Sequence, residues 1–138
     1  MRIRNRLGAL TVAAMFLGTI CGCSDSEDTH GEGEEEGKAT EAVCPTTAAP
    51  TYESFGTKFM DDYCTRCHSS TLSGAARNGA PEGHDFDTLD GVLLVAEHID
   101  EYAAAGPAAV NTIMPPSDPK PSESERSQLG EWLACELQ

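Results

Sequence analysis

Basic and aromatic residues are scarce in this chain of 138 residues. Lys and Arg together number 9 against 23 Asp and Glu, which gives a net charge of −14 at pH 7. So acidic a chain is repelled by phosphate groups, which argues against nucleic acid and anionic membrane surfaces as partners. Only 6% of the residues are aromatic, so a folded domain has few large side chains with which to build a hydrophobic core.

Several patterns that would indicate a particular class of protein are also missing. The sequence has no internal repeat and no alternation of apolar and polar residues of the kind that predicts a β-strand. We find no paired catalytic carboxylates, no Ser-His-Asp set and no phosphate-binding loop. An enzyme of one of these common kinds is therefore not indicated.

The N-terminus has the pattern of an export signal. Arginines precede a short apolar segment at 7–20, which is too short to span a membrane because a spanning helix needs about 20 apolar residues. The segment runs into Ile20-Cys21-Gly22-Cys23, which is similar to a bacterial lipoprotein box. We expect residues 1–22 to be removed as a lipoprotein signal peptide and Cys23 to be lipidated. The alternative is an ordinary signal peptide that is cut nearby.

A lipid on Cys23 would anchor the exported chain to a membrane on the periplasmic side. Ser24 follows Cys23, where an Asp would indicate retention at the inner membrane, so the outer membrane is favoured. Residues 23–43 are acidic and contain almost no large apolar residues, which predicts a flexible tether. Residues 44–138 are then expected to form one small domain.

The most specific motif is C-x-x-C-H at 64–68, the attachment signature of c-type haem. The two cysteines, Cys64 and Cys67, are spaced to bond the two vinyl groups of one porphyrin. His68 follows directly and is placed to bind the iron. Because haem is attached to such motifs outside the cytoplasm, the export signal supports this interpretation.

Other interpretations of the motif have less support. A thioredoxin-like dithiol needs a βαβ setting, and no strand pattern precedes Cys64. A structural zinc site needs four ligands, and the sequence has no second pair of this kind. A plain disulfide between Cys64 and Cys67 is the remaining alternative.

The assignment of the other cysteines leaves one pair. Cys21 lies in the predicted signal peptide and Cys23 takes the lipid, so Cys44 and Cys135 remain, one near each end of the domain. In an oxidising compartment we expect them to form a disulfide, which would close a long loop and contribute about 4–5 kcal/mol to stability. Two separate free thiols are the alternative.

The coarse secondary structure predicts an all-α domain. A helix over 51–66 leads into the haem motif, and the glycine-rich stretch 68–87 forms a loop. A second helix is expected over 88–105, followed by a proline-rich loop at 111–121. A last helix, capped by Ser122 or Ser124, extends to about residue 137.

From 52 to 136 the chain resembles a class I cytochrome c domain. Gly56 precedes Cys64 at the position where such domains place a small residue, so that the first and last helices can cross closely. Met114 precedes two prolines, as in the loop that supplies the sixth ligand in many bacterial members. The segment 125–133 resembles the last helix, whose apolar residues pack on that glycine. With the lipoprotein box, the chain is similar to small bacterial cytochrome lipoproteins.

The resemblance implies a fold of three main helices around one covalent haem c. Cys64 and Cys67 would hold the haem covalently, with His68 as the proximal iron ligand and Met114 as the distal one. Pro81 corresponds to the proline whose carbonyl supports the proximal histidine. The alternatives for the sixth position are His98, His84 and an open site.

The function implied is outer-sphere electron transfer rather than enzymatic catalysis. We expect a monomer whose partners are redox proteins with basic docking surfaces, with the membrane contacted through the lipid anchor. Arg77 and Lys120 are candidate cations at the rim of the docking surface, although for each alone an ordinary surface charge is the favoured interpretation. The alternatives are a haem-dependent peroxidase or a gas or redox sensor with an open sixth site, or a haem subunit of a larger redox complex.

Overall fold

The computed structural model describes residues 36–138. The predicted signal peptide, the lipidated Cys23 and most of the predicted tether lie outside the described residues. Within 36–138 the secondary structure is helical, with one isolated β-bridge between Ala105 and Val110 and no strand. The prediction of an all-α class is therefore confirmed for this part of the chain.

The described residues form four α-helices and two short helical turns. A π-helical turn at Tyr52–Gly56 continues as α1, Thr57–Tyr63. A 3₁₀ turn at Gly74–Arg77 lies inside the long loop that was predicted after the haem motif. The later helices are α2, Leu89–Leu93, then α3, Ala96–Ala103, and α4, Glu123–Glu136. No helix of the described residues is both long enough and apolar enough to cross a membrane.

The predicted helix over 88–105 is wrong in one respect, because the structure divides it into α2 and α3. The β-branched Val95 leaves helical geometry, with φ −134° and ψ 29°. The side chains of Val92, Ala96 and Ile99 on either side of this break are nevertheless all buried in the core. The first helix also ends at Tyr63, before the predicted limit at residue 66.

The last helix begins at the predicted cap. The Ser122 hydroxyl accepts a hydrogen bond from the Glu125 backbone N–H, and the Glu125 carboxylate accepts one from the Ser122 N–H at 2.8 Å. This reciprocal arrangement satisfies donors that an isolated helix end would leave unpaired. It fixes the start of α4, whose Leu129, Trp132 and Leu133 are almost fully buried.

The packed part of the chain begins before the predicted boundary at Cys44. Thr40 is completely buried, and its N–H and hydroxyl both donate to the carboxylate of Asp100 in α3. The Asn111 side chain donates to the Lys38 carbonyl at 2.7 Å. The end of the predicted tether at residue 43 is therefore corrected, since its last residues pair their polar groups with the domain. Apolar patterning does not reveal this attachment, because it is made by hydrogen bonds.

The predicted disulfide is present between Cys44 and Cys135. It joins the segment before α1 to the C-terminal turn of α4 across a sequence separation of 91 residues. In a domain with a small core, this covalent link holds both ends of the fold together.

The first and last helices cross at a glycine, as expected. An ideal Cβ on Gly56 would lie 2.6 Å from Cζ2 of Trp132, closer than real side chains approach. The indole of Trp132 is fully buried and is flanked by Tyr52 and Phe55, at ring-centroid distances of 6.1 and 6.2 Å. Only a residue without a side chain lets this indole reach the backbone between the π-helical turn and α1.

Replacing Gly56 by alanine tests this crossing. Overpacking of this kind costs about 1–3 kcal/mol, which exceeds the roughly 0.5–1 kcal/mol that alanine gains over glycine in a helix. We expect a lower free energy of unfolding in a urea titration that follows the fluorescence of the single tryptophan. Lys58→Ala, on the exposed side of α1, is the control. A Gly56→Ala protein as stable as this control would contradict the close crossing.

Candidate functional site

A cavity of about 410 Å³ opens between the haem motif, α3 and the proline-rich loop. Its wall contains every haem-site residue that the sequence predicted: Cys64, Cys67, His68, Pro81 and Met114, together with the alternatives His84 and His98. Much of the rest of the wall is apolar, supplied by Phe59, Tyr63, Phe86, Val95, Ile99, Ala103, Pro115 and Pro116. The chain thus brings residues from distant segments to one cavity.

The two thiols and the imidazole of the motif are presented by a turn that extends α1. Cys64 N donates to Met60 O at 2.8 Å, so the motif begins on the last helical hydrogen bonds of α1. Cys67 N and His68 N then both donate to Cys64 O, at 3.0 and 2.9 Å. This tight turn holds the three side chains at the cavity wall, and both cysteines are free thiols.

His68 is oriented by two contacts. Its ring stacks on Phe86 with a centroid distance of 4.5 Å and an interplanar angle of 9°. Its Nδ1 lies 3.1 Å from the His84 carbonyl oxygen, and because a carbonyl only accepts, Nδ1 carries the proton. Burial lowers the pKa of His68 against the opposing effect of this hydrogen bond. The neutral ring leaves the Nε2 lone pair free for a metal.

The carbonyl that supports His68 belongs to His84, so the assignment to Pro81 is corrected. The Pro81 carbonyl accepts instead from Arg77 Nη2 at 2.6 Å and from the His84 N–H at 3.3 Å. This second bond closes a turn that carries the His84 carbonyl to His68. The shift arises because the loop is tightened by three residues with positive φ, Asn78, Gly79 and Gly83, which sequence spacing alone does not locate.

Arg77 is buried rather than placed at the rim, which corrects the expectation of a docking cation. Only 4% of its side chain is exposed, and it forms an ion pair with Asp85 at 2.7 Å. Lys120, the other candidate rim cation, is exposed. This role of Arg77 was not predicted from the sequence. The sequence feature that could have indicated this role is a single arginine within a glycine-rich loop. The backbone carbonyls of such a loop need hydrogen-bond donors, which an arginine can supply.

Met114 is held by its backbone on both sides. Its N–H donates to the Tyr102 carbonyl of α3 at 2.8 Å, and its own carbonyl accepts from Arg126 Nη1 at 2.8 Å. Arg126 is 2% exposed and also donates to the carbonyls of Ala103 and Asn111. The start of the proline-rich loop is therefore fixed to α3 and α4, while the Met114 side chain faces the cavity and is 37% exposed.

The end of the same loop is held by the haem motif itself. Arg66, between the two cysteines, donates to the carbonyls of Ser117 and Asp118, each at 2.5 Å, and more weakly to Pro119 at 3.4 Å. Arg66 and Arg126 thus bind opposite ends of the loop that carries Met114. Neither role was predicted from the sequence. Arg66 was considered only as a variable position of the C-x-x-C-H motif, and Arg126 only as part of the segment 125–133 that resembles the last helix of the family.

The two alternative sixth ligands lie near each other. The ring centroids of His84 and His98 are 5.8 Å apart, and those of His68 and His84 are 6.4 Å apart. Within residues 36–138, no three or more His, Cys, Asp or Glu side chains gather closely enough to hold a bare metal ion. A four-ligand structural zinc site therefore has no support in this part of the chain.

Comparison with known proteins gives no match to a family model, to a curated protein or to a solved structure.

The protonation state of Cys64 gives a testable prediction. Burial around its sulfur raises the pKa of this thiol to about 12, although the residue as a whole is half-buried. Because the thiolate is the reactive form, alkylation of Cys64 in the haem-free protein should be slow at pH 7 and should accelerate about tenfold per pH unit up to pH 9 or beyond.

The measurement uses iodoacetamide and mass mapping of the Cys64 peptide. A Cys67→Ser variant keeps the neighbouring thiol from pairing with Cys64. The urea-unfolded chain is the control, and its rate should level off near the ordinary thiol pKa of about 8.5. If the alkylation rate of the folded protein levelled off at the same pH as that of the unfolded chain, the burial of this sulfur would be contradicted.

Proposed function

We propose that residues 38–138, the packed part of the chain, are a class I cytochrome c domain that binds one haem c covalently and transfers electrons. The observation that carries the proposal is the convergence of two thiols, an imidazole and a thioether on one apolar cavity. Cys64, Cys67 and His68 reach it from one turn, and Met114 reaches it from a separate loop. The close contact between the π-helical turn and α4 at Gly56 and Trp132 agrees with the same fold.

The residues at the cavity fit this cofactor by their chemistry. The free thiols of Cys64 and Cys67 would form thioether bonds to the two vinyl groups, and His68 Nε2 would bind the iron. The apolar walls suit a porphyrin ring, and the Met114 sulfur is a soft ligand that favours the ferrous state. When bound, haem c supplies an iron that alternates between ferric and ferrous states and so carries one electron.

The chain's own residues keep these ligands in place. Phe86 and the His84 carbonyl fix the plane of the His68 ring. Arg126 and the Tyr102 carbonyl fix the backbone of Met114, and Arg66 holds the loop beyond it. Ligands that are held before the electron arrives need little rearrangement when it does, which is what rapid outer-sphere transfer requires.

The cellular setting is proposed from the sequence alone. We infer an exported lipoprotein, anchored through Cys23 to the periplasmic face of a membrane, with the outer membrane favoured. The tether ahead of the domain would let it reach its partners. The proposal of a monomer that docks basic redox proteins rests on the net charge of −14.

A visible spectrum of the exported protein, taken after organic extraction of loose haem, tests this function. We expect a retained c-type spectrum with a weak far-red band from sulfur-to-iron ligation. Met114→Ala should remove the far-red band and keep the covalent haem, because the thioether bonds do not involve Met114.

Met60→Leu is the matched control, since Met60 lies in the core and is 1% exposed. It should keep the far-red band. If Met114→Ala also keeps the band, the sixth-ligand assignment is wrong. Retained haem without the band in the unmodified protein would move the assignment to His98, His84 or an open site, which would favour the peroxidase or sensor alternative. A protein without haem would refute the cytochrome proposal.

The charge of the domain predicts how its electron exchange depends on salt. Exchange with a small cationic ruthenium complex should slow by roughly tenfold or more between low and high ionic strength, because attraction to the acidic surface is screened. Exchange with anionic ferricyanide should accelerate over the same range, as repulsion is screened. Stopped-flow rates with the two reagents measure both trends. If neither exchange rate changed with ionic strength, steering by the net charge would be ruled out.

A further inference from the structure

Arg77 is a buried cation at the centre of the loop beneath His68. Its guanidinium satisfies the carbonyls of this irregular segment, which has few regular backbone hydrogen bonds of its own. It donates to five backbone carbonyls, those of Ser69, Leu72, Ala80, Pro81 and His84. A side chain that served only to hold the loop together would not need to share a hydrogen-bond acceptor with His68.

One of these carbonyls is shared with His68. The His84 oxygen accepts from His68 Nδ1 at 3.1 Å and from Arg77 Nη2 at 3.2 Å. An oxygen that already accepts from a cation has less electron density to offer a second donor. Arg77 therefore weakens the hydrogen bond made by His68. It also places a positive charge one carbonyl away from the imidazole, where burial leaves little water to screen it.

Asp85 opposes this effect. Its Oδ1 lies 2.7 Å from Arg77 Nη1, and its side chain is 30% exposed. The carboxylate neutralises part of the guanidinium charge and so restores part of the accepting power of the His84 carbonyl. The two members of the ion pair thus act on His68 in opposite directions.

We propose that Arg77 and Asp85 are a pair of positioning residues that sets the reduction potential of the haem through the hydrogen bond between His68 and the His84 carbonyl. The inference rests on the proposed haem function and names a control point within it. A proximal histidine with a weaker Nδ1–H hydrogen bond is a poorer electron donor to iron. Arg77 raises the potential because it disfavours the ferric state, and Asp85 lowers it.

The test compares the reduction potentials of Arg77→Gln and Asp85→Asn proteins loaded with haem. At the midpoint potential of the unmodified protein, we expect the ferric-to-ferrous ratio to rise about tenfold in Arg77→Gln and to fall in Asp85→Asn. If the pair were merely structural, both changes would loosen the loop and shift the ratio the same way. Shifts of the same sign, or none, would overturn the proposal.

The exposed ion pair on α1 supplies matched controls. Lys58 and Asp62 lie 2.6 Å apart with side chains 81% and 41% exposed, and neither lines the cavity. Lys58→Gln and Asp62→Asn make the same changes of charge, and we expect less than about a twofold change in the ratio because water screens them. Control shifts as large as those at Arg77 and Asp85 would show a general charge effect and overturn the proposal.

A second readout does not depend on haem. In the haem-free full-length protein, the His68 Nδ1–H proton resonance should move downfield in Arg77→Gln, as the freed carbonyl accepts more strongly, and upfield in Asp85→Asn. If Arg77→Gln does not fold, Arg77→Lys, which keeps the charge but loses the fork, takes its place with a smaller downfield shift. An unmoved resonance in both the Arg77 and Asp85 variants overturns this inference. Absence of covalent haem in the unmodified protein would refute the proposed function instead.

Discussion

The bond between an arginine and a backbone carbonyl is the interaction on which this domain most depends. Its helices are short, and the cavity walls are largely loops whose carbonyls have no helical partner. Arg66, Arg77 and Arg126 are the three arginines of residues 36–138, and each donates to two or more such carbonyls. A planar guanidinium with several fixed donors can satisfy several carbonyls at once, which a lysine ammonium cannot do with the same geometry.

Each of these arginines holds a different part of the cavity wall. Arg77 organises the loop on which His68 rests, and Arg126 fixes the backbone of Met114 from α4. Arg66 joins the two sides, because it lies within the cysteine motif and binds the far end of the Met114 loop. The walls are therefore shaped by the protein's own hydrogen bonds. A cofactor that enters such a cavity meets ligands whose backbones are already placed, so less ordering is required on binding.

The sequence predicted what depends on residue type and local spacing. The cap at Ser122 could be inferred from a local signature and the disulfide between Cys44 and Cys135 by elimination. The close contact at Gly56 was expected from the resemblance to a class I cytochrome c domain. The carbonyl partner of His68, the burial of Arg77 and the packing of Thr40 could not. The first two depend on hydrogen bonds to backbone carbonyls, whose positions follow from the path of the loop and not from the identity of the acceptor residue. The third depends on a bond to Asp100, which lies 60 residues further along the chain and has no local signature.

The distribution of the basic residues between the interior and the surface also affects the electrostatic potential around the domain. Arg77 and Arg126 are buried, whereas Lys38, Lys58 and Lys120 are exposed. Two of the few cations are thus committed to carbonyls inside the fold. Asp85 offsets the charge of Arg77, so this ion pair as a whole adds little to the potential at the surface. In residues 36–138 the exposed positive charge is therefore limited to three lysines and the half-buried Arg66, so acidic side chains dominate the surface. A negative surface potential of this kind attracts basic molecules. Under the proposed function, the scarcity of cations would thus accompany both the arginine-built cavity and the docking of basic partners.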